Sequence, residues 1–288
     1  MNWTMKHRLT AIVPCKNERL HIRDCIESLL PIADEILVAD SGSTDETLDI
    51  VAQIGGCRVI QREYIHSGNF KNWAIPQASH QWVLILDADE RVTNELADEI
   101  SALLERDPQK DGYWVHRLNH FMGYPVRHGD WGADRVLRLF RKDVSRYVGE
   151  TDHAEVVVST GRVGSLNNRL LHFTTWSYDQ TFTKLTRYST WQAKQWNDSR
   201  KKLEIWRMVW GPPLRFLRSY VLRLGFLDGL VGFQVCFLTA MYVFLKQARL
   251  WELQRAIPQP DPIRTRMGAA TTEPSTDPHP SQLKSPAT

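Results

Sequence analysis

The chain has 288 residues, of which 42% are hydrophobic and 24% are charged, enough for one large domain with an appendage. A net charge of +3 makes it only mildly basic, and we expect no nucleic-acid partner. Its four cysteines are scattered without a CxxC pair, which disfavours a zinc site or a disulfide framework and favours a reducing compartment. The first apolar run is too short for a signal peptide, so we expect the main domain to stay in the cytoplasm.

Short apolar runs alternate with helical patterns over the first 110 residues. The runs predict four strands, at residues 9–13, 35–40, 57–61 and 82–86. Helical spacing predicts helices that are capped by Asn17, by Ser43 or Thr44, and by Thr93, and a short helix at 70–78. This alternation predicts an α/β fold, in which helices flank a mixed, mainly parallel, Rossmann-like sheet.

Residues 112–174 have a different pattern of short, partly alternating segments with glycines between them. The segments predict antiparallel strands added to the sheet, at residues 112–119, 124–127, 135–140, 154–159 and 169–173. A single helix is predicted for residues 178–206.

The C-terminal third is rich in tryptophan and arginine. Residues 225–245 carry no charge except Asp228, and 21 residues are enough to cross a bilayer. Three interpretations stay open: a segment that spans the membrane, a helical hairpin packed on the domain, and a segment that lies on an anionic membrane surface. The basic, Trp-rich flanks favour peripheral or monotopic attachment. Beyond this segment, the Pro-, Ser- and Thr-rich residues 257–288 predict a disordered tail.

The acidic motif Asp87-Ala88-Asp89 directly follows the fourth predicted strand. Two carboxylates one residue apart can hold a divalent metal, Mg²⁺ or Mn²⁺, which keeps positions open for phosphate oxygens. Alone, the motif is equally typical of an acidic cluster at the start of a helix. Its place at the carboxyl end of a predicted parallel strand, where ligands bind in such sheets, favours the metal site.

Two further polar groups are expected at the same edge of the sheet. Asp40 ends the second predicted strand, where a carboxylate can accept hydrogen bonds from a base or a ribose hydroxyl. Lys71, followed by Asn72, lies in a short predicted helix, and a lysine there can pair with a diphosphate or remain solvated.

Four segments in this order resemble family 2 glycosyltransferases of the GT-A fold. They are residues 12–18 (IVPCKNE), 38–47 (VADSGSTDET), 68–74 (GNFKNWA) and 84–90 (LILDADE). The resemblance implies a nucleotide-sugar donor and an inverting, metal-assisted transfer. It implies donor contacts by Pro14, Glu18, Asp40, Lys71, Asn72 and Asp87, and metal contacts by Asp87 and Asp89.

Later segments resemble the subgroup that includes lipopolysaccharide core glucosyltransferases. They are residues 138–141, 170–173, 184–193 and 214–229. The resemblance implies UDP-glucose as donor, a lipid-linked or lipopolysaccharide-core saccharide as acceptor, and the cytoplasmic face of the inner membrane. In these terms, residues 1–110 are the donor half, 111–200 the acceptor half and 201–256 a membrane-associating segment.

Inverting transfer requires a general base on the acceptor side. In the similar subgroup a His-Glu pair follows the Leu-Phe-Arg strand, whereas here an alanine separates His153 from Glu155. Glu155 is our first choice for the base, and Asp152 and then Glu150 are the alternatives.

Two more sets of residues are candidates for the site. His172 ends an apolar segment, and either packs as a core histidine or completes the metal site, as a late histidine does in some GT-A enzymes. Asp130, Trp131 and Asp134 lie in a Gly-rich loop (HGDWGADR). Since rings stack on sugars and carboxylates bind hydroxyls, we expect this loop to contact the sugar or the acceptor.

Other functions fit the sequence less well. A nucleotidyltransferase would need a Gly-rich phosphate loop after the first strand, where this chain has Pro-Cys-Lys-Asn-Glu. A P-loop enzyme is excluded because GxxxxGK[ST] is missing. A membrane-attached protein that has kept the fold without the activity is the remaining alternative.

Overall fold

A computed structural model describes residues 7–149 and 154–255 of the chain. The donor half contains β1 (Leu9–Cys15), α1 (Ile22–Leu29), β2 (Glu35–Asp40), α2 (Thr47–Ile54), β3 (Cys57–Gln61), α3 (Ser67–Ala74), β4 (Trp82–Ile85), β5 (Glu90–Val92) and α4 (Asn94–Glu105). It is followed by β6 (Gly112–Phe121), β7 (Tyr124–Val126), α5 (Gly129–Gly132), β8 (Arg135–Arg141), β9 (Ser145–Val148), β10 (Glu155–Val158) and β11 (Val163–Thr175). Three long helices complete the described chain, α6 (Tyr178–Asp198), α7 (Ile205–Leu217) and α8 (Gly229–Arg255).

The main sheet has the strand order β3-β2-β1-β4-β8-β6-β11-β5, with β7 paired to β6. The pairs among β1, β2, β3 and β4 are parallel, and β8 joins them antiparallel to β4. A separate hairpin is formed by β9 and β10. The fold class expected from the sequence, a mainly parallel mixed α/β sheet flanked by helices, is confirmed.

The central strands are apolar on both faces because each face is covered. Along β4, Trp82 and Leu84 pack with α1 and α4 in one buried cluster, whereas Val83 and Ile85 pack with Phe70 of α3 in another. A strand that is buried on both sides therefore shows as a continuous apolar run in the sequence. The residues that follow it emerge at the sheet edge, where the acidic motif lies.

Several expected elements differ in the structure. The last strand, β11, pairs parallel with β6, not antiparallel, and is antiparallel only to β5. Neither β5 nor β9 was expected from the sequence. The helix predicted at 178–206 is two helices, because Arg200 adopts a left-handed conformation (φ 55°) and ends α6.

The predicted helix caps have mixed outcomes. Thr93 caps α4 by accepting a hydrogen bond from Leu96 N (3.2 Å), as expected. Asn17 does not cap α1, which begins at Ile22; it takes a left-handed conformation (φ 56°), and its side chain accepts a hydrogen bond from Thr44 N (2.7 Å). This bond joins the loop after β1 to the loop after β2. The cap prediction for Ser43 or Thr44 is also wrong, because α2 begins at Thr47 and Glu46 occupies the N-cap position.

A helical lobe, defined here as residues 205–255, follows the sheet domain. Its helices α7 and α8 pack on each other, and α8 also packs on α6 and on the end of the sheet, where Val235 and Leu238 meet Phe121 and Val126. The lobe is thus a helical hairpin packed on the domain, which is one of the interpretations that the sequence left open. Among the described residues, the helical stretch Gly225–Arg255 is long and apolar enough to cross a membrane, with a mean hydropathy of 1.6, and only 28% of its most apolar window is buried. The predicted tail at 257–288 lies outside the described residues.

The hairpin turn depends on close backbone contact at one glycine. A Cβ atom on Gly232 would lie 1.9 Å from the carbonyl oxygen of Gly225, whereas a Cβ atom on Gly211 would meet only a terminal methyl of Val243 at 3.1 Å. We expect Gly232→Ala to lower the free energy of unfolding by about 1–3 kcal/mol through overpacking. Gly211→Ala, which gains about 0.5–1 kcal/mol of helix propensity, is the control and should be near neutral. Urea denaturation of both variants measures the difference, and equal midpoints would contradict the assigned contact.

Candidate active site

A cavity of about 740 Å³ opens at the carboxyl ends of β1 and β4. Eight of the candidate residues from the sequence line it: Pro14, Glu18, Lys71, Asp87, Asp89, Trp131, Asp134 and His172. Residues from the donor half, the loop around α5 and β11 thus meet in one place, as the sequence predicts for a single site.

Asp40 lies beside this cavity but is fully buried. Its carboxylate accepts hydrogen bonds from the backbone N–H groups of Gly42 (3.0 Å) and Ser43 (3.1 Å) and from Gln61 Nε2 (3.0 Å). Burial raises the pKa of Asp40, but these hydrogen bonds outweigh burial and hold the pKa below its ordinary value. In this structure Asp40 orders the loop that brings Ser41 to the cavity.

Asn72 holds a neighbouring element in place. Its Nδ2 donates to the carbonyl oxygen of Tyr147 (2.9 Å), and its Oδ1 accepts from Tyr147 N (2.8 Å), which fixes β9 against α3. The Tyr147 ring in turn lies 5.3 Å from Lys71 Nζ. Asn72 therefore supports the position of Lys71 from outside the cavity lining.

Asp130 and Glu155 also lie away from the cavity lining. The Asp130 carboxylate, whose side chain is 7% exposed, lies 2.6 Å from Arg215 Nε and 2.6 Å from Arg223 Nη1, both in the helical lobe. Glu155 is exposed on β10, where it pairs with Val148. The other candidate bases, Asp152 and Glu150, and the adjacent His153 lie outside the described residues, so the identity of the base stays a prediction.

A buried ion network lies beneath the acidic motif. Glu90 is fully buried, and its carboxylate accepts hydrogen bonds from Arg138 Nη2 (2.8 Å), Arg117 Nη1 (3.3 Å) and the backbone N–H of Asp87 (3.1 Å). Sequence reasoning did not single out Glu90, Arg117 or Arg138. A charged residue directly after the acidic motif, and an arginine inside an apolar strand, were the available signals.

The same network neutralises Asp87. Its Oδ1 accepts from Lys71 Nζ (2.8 Å), and its other oxygen contacts Arg138. Although burial raises the pKa of Asp87, the charges of Arg138 and Lys71 outweigh it and hold the pKa well below its ordinary value. For Lys71, burial lowers the pKa, but Asp87 raises it above the ordinary value. Lys71 is therefore a fixed ammonium group at the cavity wall.

Asp89 and His172 face each other across the cavity floor. His172 Nε2 lies 3.6 Å from an Asp89 carboxylate oxygen. Asn119 donates its amide Nδ2 to Trp131 O (3.1 Å) and Asp134 Oδ2 (3.0 Å), so its Oδ1 accepts from His172 Nδ1 (2.6 Å). Asn119 thus holds a proton on Nδ1, so that Nε2 is the ring nitrogen left to face Asp89 and to bind a metal in exchange for its own proton.

This pair fits a divalent cation as part of its ligand set. Burial raises the pKa of Asp89, but the hydrogen bond and charge of His172 outweigh burial and keep the pKa below its ordinary value. Among the described residues, no group of three or more His, Cys, Asp or Glu side chains is close enough to hold a metal ion. Two protein ligands leave several positions for phosphate oxygens and water, as is usual for Mg²⁺ at a diphosphate.

A further wall of the cavity is formed by α6. Lys184, Arg187 and Tyr188 line the cavity at helical spacing, and Arg187 lies 5.1 Å above the ring of Tyr188. Sequence analysis placed this segment on a helix but assigned it no contact with ligands.

The cavity joins the helical lobe through a loop–lobe junction, defined here as Asp130 with Arg215 and Arg223, and Asp228 with His128. One Asp228 oxygen accepts from the backbone N–H of His128 (2.8 Å), and the other lies 2.9 Å from His128 Nδ1. The junction thus holds the N-terminal half of α5, which carries Trp131, to the lobe.

Known proteins share this sequence pattern. The model of the family described as Glycosyl transferase family 2 matches residues 10–170. The lipopolysaccharide core biosynthesis glycosyltransferase LpsC of Rhizobium meliloti (strain 1021) is 32% identical over 249 residues, which cover 85% of this chain and 92% of LpsC. An uncharacterized glycosyltransferase of Rickettsia felis is 29% identical over 264 residues, 85% of this chain and 90% of that protein.

Among solved structures, S. aureus TarS 1-349 in complex with UDP-GlcNAc is similar, with a TM-score of 0.46 and 15% identity over 86% of this chain and 92% of that chain. The family match covers more than half of the chain, and it includes the acidic motif and all of the donor-half segments that carried the resemblance. A nucleotidyltransferase is therefore set aside, and the chain belongs to glycosyl transferase family 2 and is a glycosyltransferase.

Proposed function

We propose that this glycosyltransferase moves a sugar, with inversion, from a UDP-sugar to a saccharide of the lipopolysaccharide core. The observation that carries the proposal is the cavity itself, where the Asp89–His172 pair and the Lys71–Asp87 pair meet at the carboxyl end of β4. A metal site next to a fixed cation is the arrangement that neutralises the charge of a leaving diphosphate. The acceptor class is supported by the name of the relative LpsC, and glucose by the resemblance of the later segments.

On the donor side, each residue has a distinct part. Asp89 and His172 would hold a divalent metal, Mg²⁺ or Mn²⁺, which would neutralise charge on the leaving diphosphate. Lys71, held by Asp87 and the Tyr147 ring, contributes a second fixed positive charge. Pro14 and Glu18 line the cavity where the base and ribose are expected.

On the acceptor side, the loop around α5 contributes Trp131 and Asp134. Asp134 receives hydrogen bonds from Arg117 and Asn119 on Oδ2, and a tryptophan ring offers a surface for stacking on a sugar. We keep Glu155 first and Asp152 second as candidates for the general base that accepts the proton of the acceptor hydroxyl.

The helical lobe suits attachment to the cytoplasmic face of the inner membrane. The structure buries no residue of α7, and large apolar side chains are exposed along it and the following turn: Ile205, Trp206, Val209, Trp210, Leu214, Leu217 and Leu222. Arginines lie among them, as in helices that bind at an anionic lipid surface. We propose peripheral or monotopic attachment through this face.

The metal assignment predicts a graded loss of metal-dependent UDP binding. Asp89→Ala and His172→Ala each remove a ligand and should abolish the increase in UDP affinity that Mn²⁺ produces in calorimetry. Asn119→Ala should weaken Mn²⁺ binding by about 10–100-fold, because it frees the His172 ring. The exposed Asp98→Ala on α4 is the control. Unchanged Mn²⁺ dependence in Asp89→Ala would contradict the assignment.

Glu18 should make stability depend on pH. Burial, followed by the charge of Asp89, raises its pKa from an ordinary 4.5 to about 7. The folded protein therefore binds more protons than the unfolded chain between these values, and the stabilising contribution present below pH 4.5 is lost as pH rises through 7. Urea midpoints in EDTA between pH 5 and 8 should fall more steeply for the wild type than for Glu18→Gln. Glu105→Gln, exposed on α4, should follow the wild type, and parallel curves for Glu18→Gln would refute the shift.

Membrane attachment predicts selective loss of vesicle binding. The double variant Trp206→Ala/Trp210→Ala should cosediment less with phosphatidylglycerol vesicles, because both rings are more than half exposed on α7. Val59→Ala, an exposed apolar residue on the edge strand β3, should bind like the wild type. Release of the wild type by high salt indicates electrostatic attachment, and retention until detergent is added indicates insertion. Equal cosedimentation of the double variant and the wild type would exclude this face.

A further inference from the structure

Two of the cations that line the cavity already have carboxylate partners. Lys71 Nζ is bonded to Asp87 at 2.8 Å, and Arg117 Nη2 lies 2.7 Å from Asp134 Oδ2. Their charge is largely compensated within the protein, so a doubly charged diphosphate calls for further positive charge from elsewhere on the wall.

Helix α6 supplies that charge. Lys184 and Arg187 both line the cavity and are one helical turn apart. Within residues 7–149 and 154–255, neither side chain has an Asp or Glu oxygen within 4.0 Å. Two cations that lack a direct ion pair and lie on one helical face of a cavity attract an anion to the space between them.

Each of the two cations is oriented by the protein. Lys184 Nζ donates to the carbonyl oxygen of Thr174, at the end of β11. The guanidinium carbon of Arg187 lies 5.1 Å from the ring centre of Tyr188 and 5.2 Å from that of Trp191. Arg187 Nη2 also donates a hydrogen bond to the Tyr188 hydroxyl (3.4 Å). Stacking fixes the plane of the guanidinium, and its remaining N–H groups can bind phosphate oxygens.

The position of Lys184 connects α6 to the donor side. Its charge lowers the pKa values of both Glu18 and Asp89, against the effect of burial on each. Lys184 thus interacts electrostatically with the acidic motif, and it lies one helical turn from Arg187.

We propose that Lys184 and Arg187 form an anion-binding subsite on α6 that holds a phosphate group of the substrate. The inference rests on the proposed function and deepens it, since it assigns α6 a direct contact with the substrate. The phosphate belongs either to the diphosphate of the donor or to a phosphorylated acceptor saccharide. The full-length protein can be tested against both sources.

The first arm measures binding of UDP and of uridine by calorimetry in the presence of Mn²⁺. Lys184→Met and Arg187→Met remove charge but keep an unbranched apolar chain, and Lys194→Met, exposed on the same helix, is the matched control. If the subsite holds the donor, each variant should bind UDP about 10–100-fold more weakly, with uridine binding unchanged. The control should match the wild type for both ligands.

The second arm measures transfer to lipopolysaccharide core oligosaccharide, native or treated with phosphatase, by release of UDP. If the subsite holds the acceptor, the variants should raise KM for native oligosaccharide but not for the treated one, while UDP affinity stays unchanged. The double variant Lys184→Met/Arg187→Met with wild-type UDP affinity and wild-type KM for native oligosaccharide would overturn the proposal. Failure of the proposed function is a separate result, in which the wild type releases UDP from no donor although the UDP-binding arm can still be read.

Discussion

The site depends on one buried ionic contact, the Glu90 carboxylate held between Arg117 and Arg138. A fully buried carboxylate is unfavourable without partners, and here two guanidinium groups and a backbone N–H satisfy it. Each arginine also forms an ion pair with a carboxylate at the cavity, Arg138 with Asp87 and Arg117 with Asp134. The donor side and the acceptor side of the cavity are thus fixed to each other through a single buried side chain that does not line the cavity.

The donor half was predictable because its signals are local. Apolar runs gave β2 and β3 at their observed bounds, and the parallel pairing of β1, β2 and β4 brings the residues that follow each strand to one edge. The place of Asp89 followed from the rule that ligands bind at the carboxyl ends of parallel strands, whereas Lys71 and Glu18 were identified with the help of the family resemblance. Asn17 shows the limit of local reasoning, since its amide bridges two loops instead of capping the next helix.

The acceptor half was less predictable because its contacts join distant parts of the chain. Whether Asp130 faces the cavity or the helical lobe depends on Arg215 and Arg223, about 90 residues later, which no pattern around Asp130 reveals. The parallel pairing of β11 with β6 likewise depends on how the intervening β9–β10 hairpin returns the chain. The sequence predicts only that Lys184 and Arg187 lie on a helix. That this helix lines the cavity depends on its position after β11, which the local pattern does not reveal.

The loop–lobe junction has a consequence for exchanging parts between relatives. Residues 127–134 and the lobe form one structural unit, although about 70 residues separate them in the chain. A chimera that takes everything beyond residue 200 from another family member would leave Asp130 facing foreign residues in place of Arg215 and Arg223, and His128 without Asp228. An unpaired buried charge costs about 3–5 kcal/mol. We therefore expect a chimera to acquire the acceptor preference of a homologue only when the loop and the lobe are exchanged together.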